Sequence, residues 1–183
     1  MRIIAGKWRG RQLEQPPQTI TRPTTDRVRE ALFNILISRI GTFDGLHVLD
    51  AFAGSGALGL EALSRGAKHV MFAEKDKNAL RILQHNVAKL KCEEHVSITT
   101  DAFKINKSEQ LFDLVFMDPP YCAGLESELF SFLTQQNLIS DETLIVIESH
   151  ADAVPMTIKR AKCHDYRVYG NCALSFFNLD VLG

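Results

Sequence analysis

Two rhythms of apolar and polar residues alternate along the chain. Short runs that are apolar almost throughout are bounded by acids and glycines. They fall near 46–50 (Leu46-His47-Val48-Leu49-Asp50), 69–74, 95–100, 112–118 and 142–148, and they predict strands, buried ones at 46–50 and 112–117. Between them lie segments with helical spacing, near 57–65, 76–90 and 125–136. The second of these has Asp76 as its cap and turns Leu80, Leu83, Val87 and Leu90 inward. Upstream, Val28, Ala31, Leu32, Ile35, Leu36 and Ile40 mark a further helix, with Thr24 or Thr25 as cap and Gly41 at its end. Alternating strands and helices predict an α/β fold, a mostly parallel sheet covered by helices on both faces. The ends of the chain depart from this rhythm. Arg2–Ala5 and Arg11–Leu13 flank the glycine-bounded Gly6-Lys7-Trp8-Arg9-Gly10, which predicts a β-hairpin; Gln15–Gln18 then reads as a linker. After Pro155 comes a shorter helical stretch. It is followed by Tyr166–Tyr169 and Ala173–Leu179, two strand-like runs joined by a tight Gly170-Asn171 turn. The reading is one domain over residues 1–183, with 1–20 as an N-terminal hairpin extension.

Composition changes this picture little. A chain of 183 residues with 45% hydrophobic side chains suits one domain with a sizeable core. The net charge of −1 does not announce a nucleic-acid partner, but its distribution does more. Residues 1–30 hold seven Lys/Arg against three Asp/Glu, a net +4 that leaves −5 for the remainder. A basic arm on a mildly acidic body suits contact with phosphates at one edge, through Lys7, Arg9 and Arg11. The plainer reading is a solvated, charged terminus. Trp8 is placed either to stack on a base or to anchor the arm by packing. Cys92, Cys122, Cys163 and Cys172 form no C-x-x-C pair and have no His at zinc-ligand spacing, so they read as free thiols, with no metal expected. Cys122, next to Tyr121, is either near a site or incidental. No apolar run reaches the ~20 residues that span a bilayer, and the N-terminus lacks a signal-peptide pattern. A soluble cytoplasmic monomer is the expectation.

Two motifs carry the chemistry. Asp118-Pro119-Pro120-Tyr121 follows the apolar run Phe112–Met117. The Asp118 carboxylate and the Pro119 carbonyl can both accept from an exocyclic NH2. The prolines fix φ and add no competing N–H, and the Tyr121 ring can stack on the base that bears the amine. The pattern resembles that of methyltransferases acting on amino groups of bases or of glutamine. Upstream, Gly54, Gly56 and Gly59 have G-x-G-x-x-G spacing between a strand and a helix, and Glu74 lies 20 residues beyond the first of them, where an acid can hold ribose hydroxyls. Alone, this loop suits a nicotinamide cofactor equally well. Asp50, in Asp50-Ala51-Phe52-Ala53-Gly54-Ser55-Gly56, makes it resemble motif I of S-adenosylmethionine (SAM) enzymes. SAM carries an ammonium and a sulfonium that favour carboxylates, and has no pyrophosphate for a helix N-terminus.

The resemblance then widens to a family. Arg2-Ile3-Ile4-Ala5-Gly6-Lys7-Trp8-Arg9-Gly10-Arg11-Gln12-Leu13 and Arg22-Pro23-Thr24-Thr25-Asp26-Arg27-Val28-Arg29-Glu30-Ala31-Leu32-Phe33-Asn34 are similar to the opening blocks of the RsmD family. Phe52–Ala67 is similar to its motif I and Asp118–Tyr121 to its motif IV. That family methylates N2 of guanine 966 in bacterial 16S ribosomal RNA. The resemblance implies a Rossmann-like SAM-dependent methyltransferase fold, a seven-stranded sheet ending in an antiparallel hairpin. It implies SAM as cofactor, held by Asp50, Phe52, Gly54 and Gly56 at the methionine part, by Glu74 at the ribose, and by Asp101 and Ala102 at the adenine. Asp101 is equally readable as a turn residue. Arg22 and Thr24 would close over the cofactor or hold the RNA, unless Thr24 only caps its helix. The implied partner is 16S ribosomal RNA in a protein-bound small-subunit particle. Residues beyond about Glu148 match no family motif. The rival readings are an N6-adenine DNA or protein-glutamine methyltransferase, a SAM- or RNA-binding assembly factor without turnover, and a nicotinamide oxidoreductase.

Overall fold

The structure is a computed structural model that describes residues 1–16, 26–106, 111–119, 125–152 and 157–180. Its elements follow the predicted order: α1 (Asp26–Ile40), β1 (His47–Asp50), α2 (Ala57–Ser64), β2 (His69–Ala73), α3 (Lys77–Leu90), β3 (Val96–Thr99), β4 (Leu114–Met117), α4 (Leu125–Gln135), β5 (Leu144–His150), β6 (Ala161–Tyr169) and β7 (Cys172–Leu179). The seven strands form one sheet in the order β3-β2-β1-β4-β5-β7-β6. β1 to β5 pair in parallel; β7 runs antiparallel to both β5 and β6. The strand order reverses between β1 and β4, which opens the crevice where ligands sit in open α/β sheets.

Apolar strands with both faces covered explain why the sequence shows runs rather than alternation. Val48, Val70, Phe72, Phe116 and Val146 pack on α1, α2 and α3 through Leu32, Phe33, Leu60, Leu83 and Val87. Leu49, Val115, Met117, Ile145 and Ile147 form the opposite layer with Leu129, Phe130 and Leu133 of α4. Local signals behave as predicted at several ends. The Asp76 side chain accepts from the N–H groups of Asn78 (3.0 Å) and Ala79 (2.8 Å), capping α3. Tyr169 pairs with Cys172 across Gly170-Asn171, and Gly170 takes φ 60°, so the two-residue turn is as expected.

Three expectations are corrected. The N-terminal hairpin forms as a short antiparallel pairing and not as two full strands: the Arg2–Gln12 bridge is flanked by bonds from the N–H groups of Ile3 to the Arg11 carbonyl (2.9 Å), Leu13 to the Met1 carbonyl (2.8 Å) and Gly10 to the Ile3 carbonyl (2.9 Å). It goes no further because the N–H groups of the intervening residues are used elsewhere. Ile4 and Ala5 donate to the Glu61 carboxylate (2.7 and 3.0 Å) and Lys7 to the Ser64 carbonyl (2.7 Å), so the arm is tied to α2. Second, of the tail expected to be helical after Pro155, residues 157–160 form an irregular link and a turn, with Arg160 at φ 62°. Third, β6 starts at Ala161, five residues before the predicted run. Its added residues are mostly polar because it is the sheet's edge. Among the described residues no helix is long and apolar enough to cross a membrane.

Candidate functional site

The parallel strands end in acids. Asp50 closes β1, Glu74 follows β2, Asp118 follows β4, and Glu148 lies near the end of β5. Strand alternation puts all four on one face of the sheet, since each continues the every-second-residue series of Val48, Phe72, Phe116 and Val146. Register brings them to one edge, with Asp118 level with Glu148 and Asp50 two residues further back. Asp50 pairs with Phe72 and Phe116, two residues before Glu74 and Asp118; Met117 pairs with Ile147, one residue before Asp118 and Glu148.

Close packing explains the glycine loop. Gly54 and Gly56 take positive φ, 55° and 80°, and Gly56 stands at the N-terminus of α2. A Cβ on Gly59 would lie 2.3 Å from the Phe72 ring, so the third glycine lets the helix rest on β2. A Cβ on Gly54 would meet nothing within 4 Å: this part of the loop faces open space. Acids hold the loop in shape. Asp50 accepts from the Gly59 N–H (3.0 Å) and Glu74 from those of Gly54 (2.6 Å) and Asp76 (2.7 Å). Phe52 is half-buried against the α4-side core.

Clustering sets the electrostatics. Asp50 is 4% exposed. Burial, opposed by the Gly59 hydrogen bond and reinforced by Glu74, pushes its carboxyl up to about 7. Asp118 is exposed at the mouth of the crevice, with protein atoms crowded around it. Lost hydration, then repulsion from Glu148 and from Asp50, raises it well above the usual carboxylate range. This donor set fits a cationic ligand, because a positive charge would relieve three mutually repelling acids at once. SAM, with its ammonium and sulfonium, answers that description.

A pH dependence follows. Asp50 holds a cation best when ionised, so SAM affinity should fall as pH drops from 8 to 6, by up to about tenfold per unit below the shifted value. Calorimetry at several pH values should show proton release on binding near pH 7, and Asp50→Asn should remove it; an equal slope in the variant would contradict the assignment. Without ligand the sign for stability is reversed. Between 3.8 and about 7 the folded state holds a proton that the unfolded chain has lost. Asp50 therefore costs stability as pH rises through that range.

The other predicted residues fall as follows. Asp101 caps the short turn Ala102–Lys104 by accepting from the Phe103 N–H (3.0 Å), and Ala102 is buried in the α4-side core. Pro119 is half-buried beside Asp118. Arg22, Thr24 and Tyr121 lie outside the described residues. Lys7, Arg9 and Arg11 are exposed. Trp8 is 8% exposed and belongs to the core, so the anchoring alternative describes it and the stacking one is corrected: its ring has no free face for a base. Arg29, counted in the basic arm, is 1% exposed and turned inward, donating to Asp26 (3.1 Å) and to the Arg2 carbonyl. Among the described residues no His/Cys/Asp/Glu group could hold a metal.

Sequence reasoning missed Glu148, Cys172 and Asn86. The signal for Glu148 was present: an acid closing an apolar run, as at Asp50, Glu74 and Asp118. Asn86 is fully buried on α3; it donates to the carbonyls of Ser55 and Glu14 (both 3.0 Å) and accepts from the Glu14 N–H (2.8 Å). It ties the N-terminal arm to the glycine loop.

Comparison with known proteins agrees with this geometry. The family model described as "Conserved hypothetical protein 95" matches residues 1–178. Ribosomal RNA small subunit methyltransferase D of Haemophilus influenzae is 42% identical over 157 residues, 83% of this chain and 80% of that protein. Its Escherichia coli K12 counterpart is 38% identical over 185 residues, covering 100% of this chain and 92% of that one. A solved Escherichia coli structure, the candidate methyltransferase yhhF, superposes with TM-score 0.82 at 36% identity over 99% of this chain and 98% of that one. With both opening blocks, the glycine loop and the Asp118 motif inside the matched span, the chain belongs to the RsmD family.

Proposed function

We propose that this protein is a SAM-dependent methyltransferase acting on the exocyclic N2 amine of a guanine, of the guanine 966 type, in 16S ribosomal RNA. It would act in the cytoplasm, as a monomer, on a protein-bound small-subunit particle. One observation carries the reading. An acid followed by proline stands at the sheet's carboxyl edge, on the strand next to the acid that bonds Gly59 and two residues beyond its level. The names of the relatives support the RNA substrate.

SAM, when bound, supplies an activated methyl on a cationic sulfur. The chain's own residues have the remaining tasks. The guanine amine is a weak nucleophile because its lone pair is delocalised into the ring. Asp118 and the Pro119 carbonyl accept from its two N–H bonds, localise the lone pair and stabilise positive charge developing on N2. Asp118 or water takes the proton afterwards, so no strong base is needed. Tyr121 holds the extruded base by stacking, worth roughly 1–3 kcal/mol. Asp50, Phe52, Gly54 and Gly56 line the methionine part of the cofactor, Glu74 the ribose, and Asp101 and Ala102 the adenine; Arg22 and Thr24 close over it or hold RNA.

Lys7, Arg9 and Arg11 hold phosphates from an arm that α2 fixes in place. Arg9→Ala combined with Arg11→Ala should raise the apparent KM for particles and reduce its salt slope by about 2, roughly one for each phosphate no longer neutralised. Identical kinetics from low to high salt would refute this role. The reaction itself is tested with labelled SAM offered to undermethylated small subunits, protein-free ribosomal RNA, DNA and protein. Label in the ribosomal RNA supports the proposal. Label in DNA adenine or protein glutamine would replace it with one of those acceptors, and SAM binding without transfer would leave a binding factor.

A further inference from the structure

Glu148 has so far figured only as a charge that repels Asp118, yet it stands directly beside it. The Met117–Ile147 pair makes it the lateral neighbour of Asp118 on the next strand, and alternation after Val146 turns it to the same face. Adjacent strands lie about 4.8 Å apart, within the span of one edge of a purine. On its other side Glu148 pairs with Leu174 of β7, which brings the Cys172 thiol near it. Burial and the two nearby acids, Glu148 and Asp118, push that thiol up, so it stays protonated. Glu148 is the first cause, after lost hydration, of the shift at Asp118, in keeping with their proximity.

Two side-by-side carboxylates ask for two side-by-side donors. In guanine the N2 amine is flanked by N1–H, a donor. In adenine and cytosine the amine is flanked by a ring nitrogen with a lone pair, which a carboxylate repels. We propose that Glu148 is a specificity-determining residue: its carboxylate accepts N1–H of the target base while Asp118 holds the neighbouring amine. This rests on the proposed guanine-N2 reaction and adds how guanine is told from other amine-bearing bases.

The test uses small subunits reconstituted on ribosomal RNA with either guanine or 2-aminopurine at the target position. 2-Aminopurine keeps the N2 amine but puts a lone pair at N1. Wild-type protein should prefer guanine in kcat/KM by on the order of 10²-fold, the usual penalty for a charged acceptor facing no donor. In Glu148→Gln, whose amide can donate as well as accept, the preference should shrink to within about tenfold, whatever happens to the absolute rate. A residue that only braced β5 against β7 would lower both rates and leave their ratio alone. An unchanged ratio in the variant overturns the inference, as does a wild-type protein that methylates both bases equally well, which needs no variant. If wild-type protein methylates neither particle, the proposed function fails first.

Discussion

Replacing Asp118 with alanine is expected to lower single-turnover methyl transfer by about 10²-fold or more while SAM still binds. The magnitude follows from the loss of one preorganised hydrogen-bond partner aimed at charge that develops in the transition state. The separation of effects follows from placement. Asp118 lies one strand away from Asp50 and two from Glu74, and those acids, not Asp118, bond to the glycine loop. Asp118→Asn keeps an acceptor oxygen in the same position and should retain more activity than alanine. This order would identify hydrogen-bond acceptance, more than proton removal, as the residue's work. Turnover within a factor of a few of wild type in Asp118→Ala would end its claim as the catalytic residue.

The largest effect on stability is expected at Glu61, far from any reacting atom. Its side chain is fully buried at 0% exposure, accepting from the N–H groups of Ile4 and Ala5 and pairing with Arg65 at 2.7 Å. Arg65 in turn lies over the Phe33 ring, 4.7 Å from its centre. Glu61→Ala would strand two backbone donors and a largely buried guanidinium, which should cost about 3–5 kcal/mol by chemical denaturation. Glu61→Gln, which keeps one acceptor and the shape, should cost less. Because the same bonds carry the basic arm, particle affinity should fall with Glu61→Ala even where the protein is still folded. A cost below about 1 kcal/mol would show that the arm is held by other interactions, of which the packing of the Trp8 indole is the foremost.

The sheet was legible because fully buried parallel strands leave uninterrupted apolar runs, and because Asp76, Gly41 and Gly170-Asn171 announce ends by local chemistry alone. The attachment of the N-terminal arm was illegible for the opposite reason. Its partners, Glu61 and Ser64, lie more than fifty positions away on a helix, so a local pattern of strand, glycines and strand gave no sign of where its N–H groups go. Trp8 shows the same limit: among basic residues it suits stacking or anchoring alike, and only the helix that buries it decides. In the site, Asp50 and Asp118 stood out through motifs, whereas Glu148 carries none. Only register, which sets β5 beside β4, brings it to Asp118. The acid-ended apolar run was written four times in the chain, and reading the repetition as one row required the strand order.

The most direct test of the central claim is nucleoside mass spectrometry on undermethylated ribosomal RNA, supplied as small subunits and treated with this protein and SAM. The predicted result is newly formed N2-methylguanosine, absent when Asp118→Ala replaces the wild-type protein. No methylated nucleoside from a wild-type protein that demonstrably binds SAM would contradict it and move the acceptor away from ribosomal RNA.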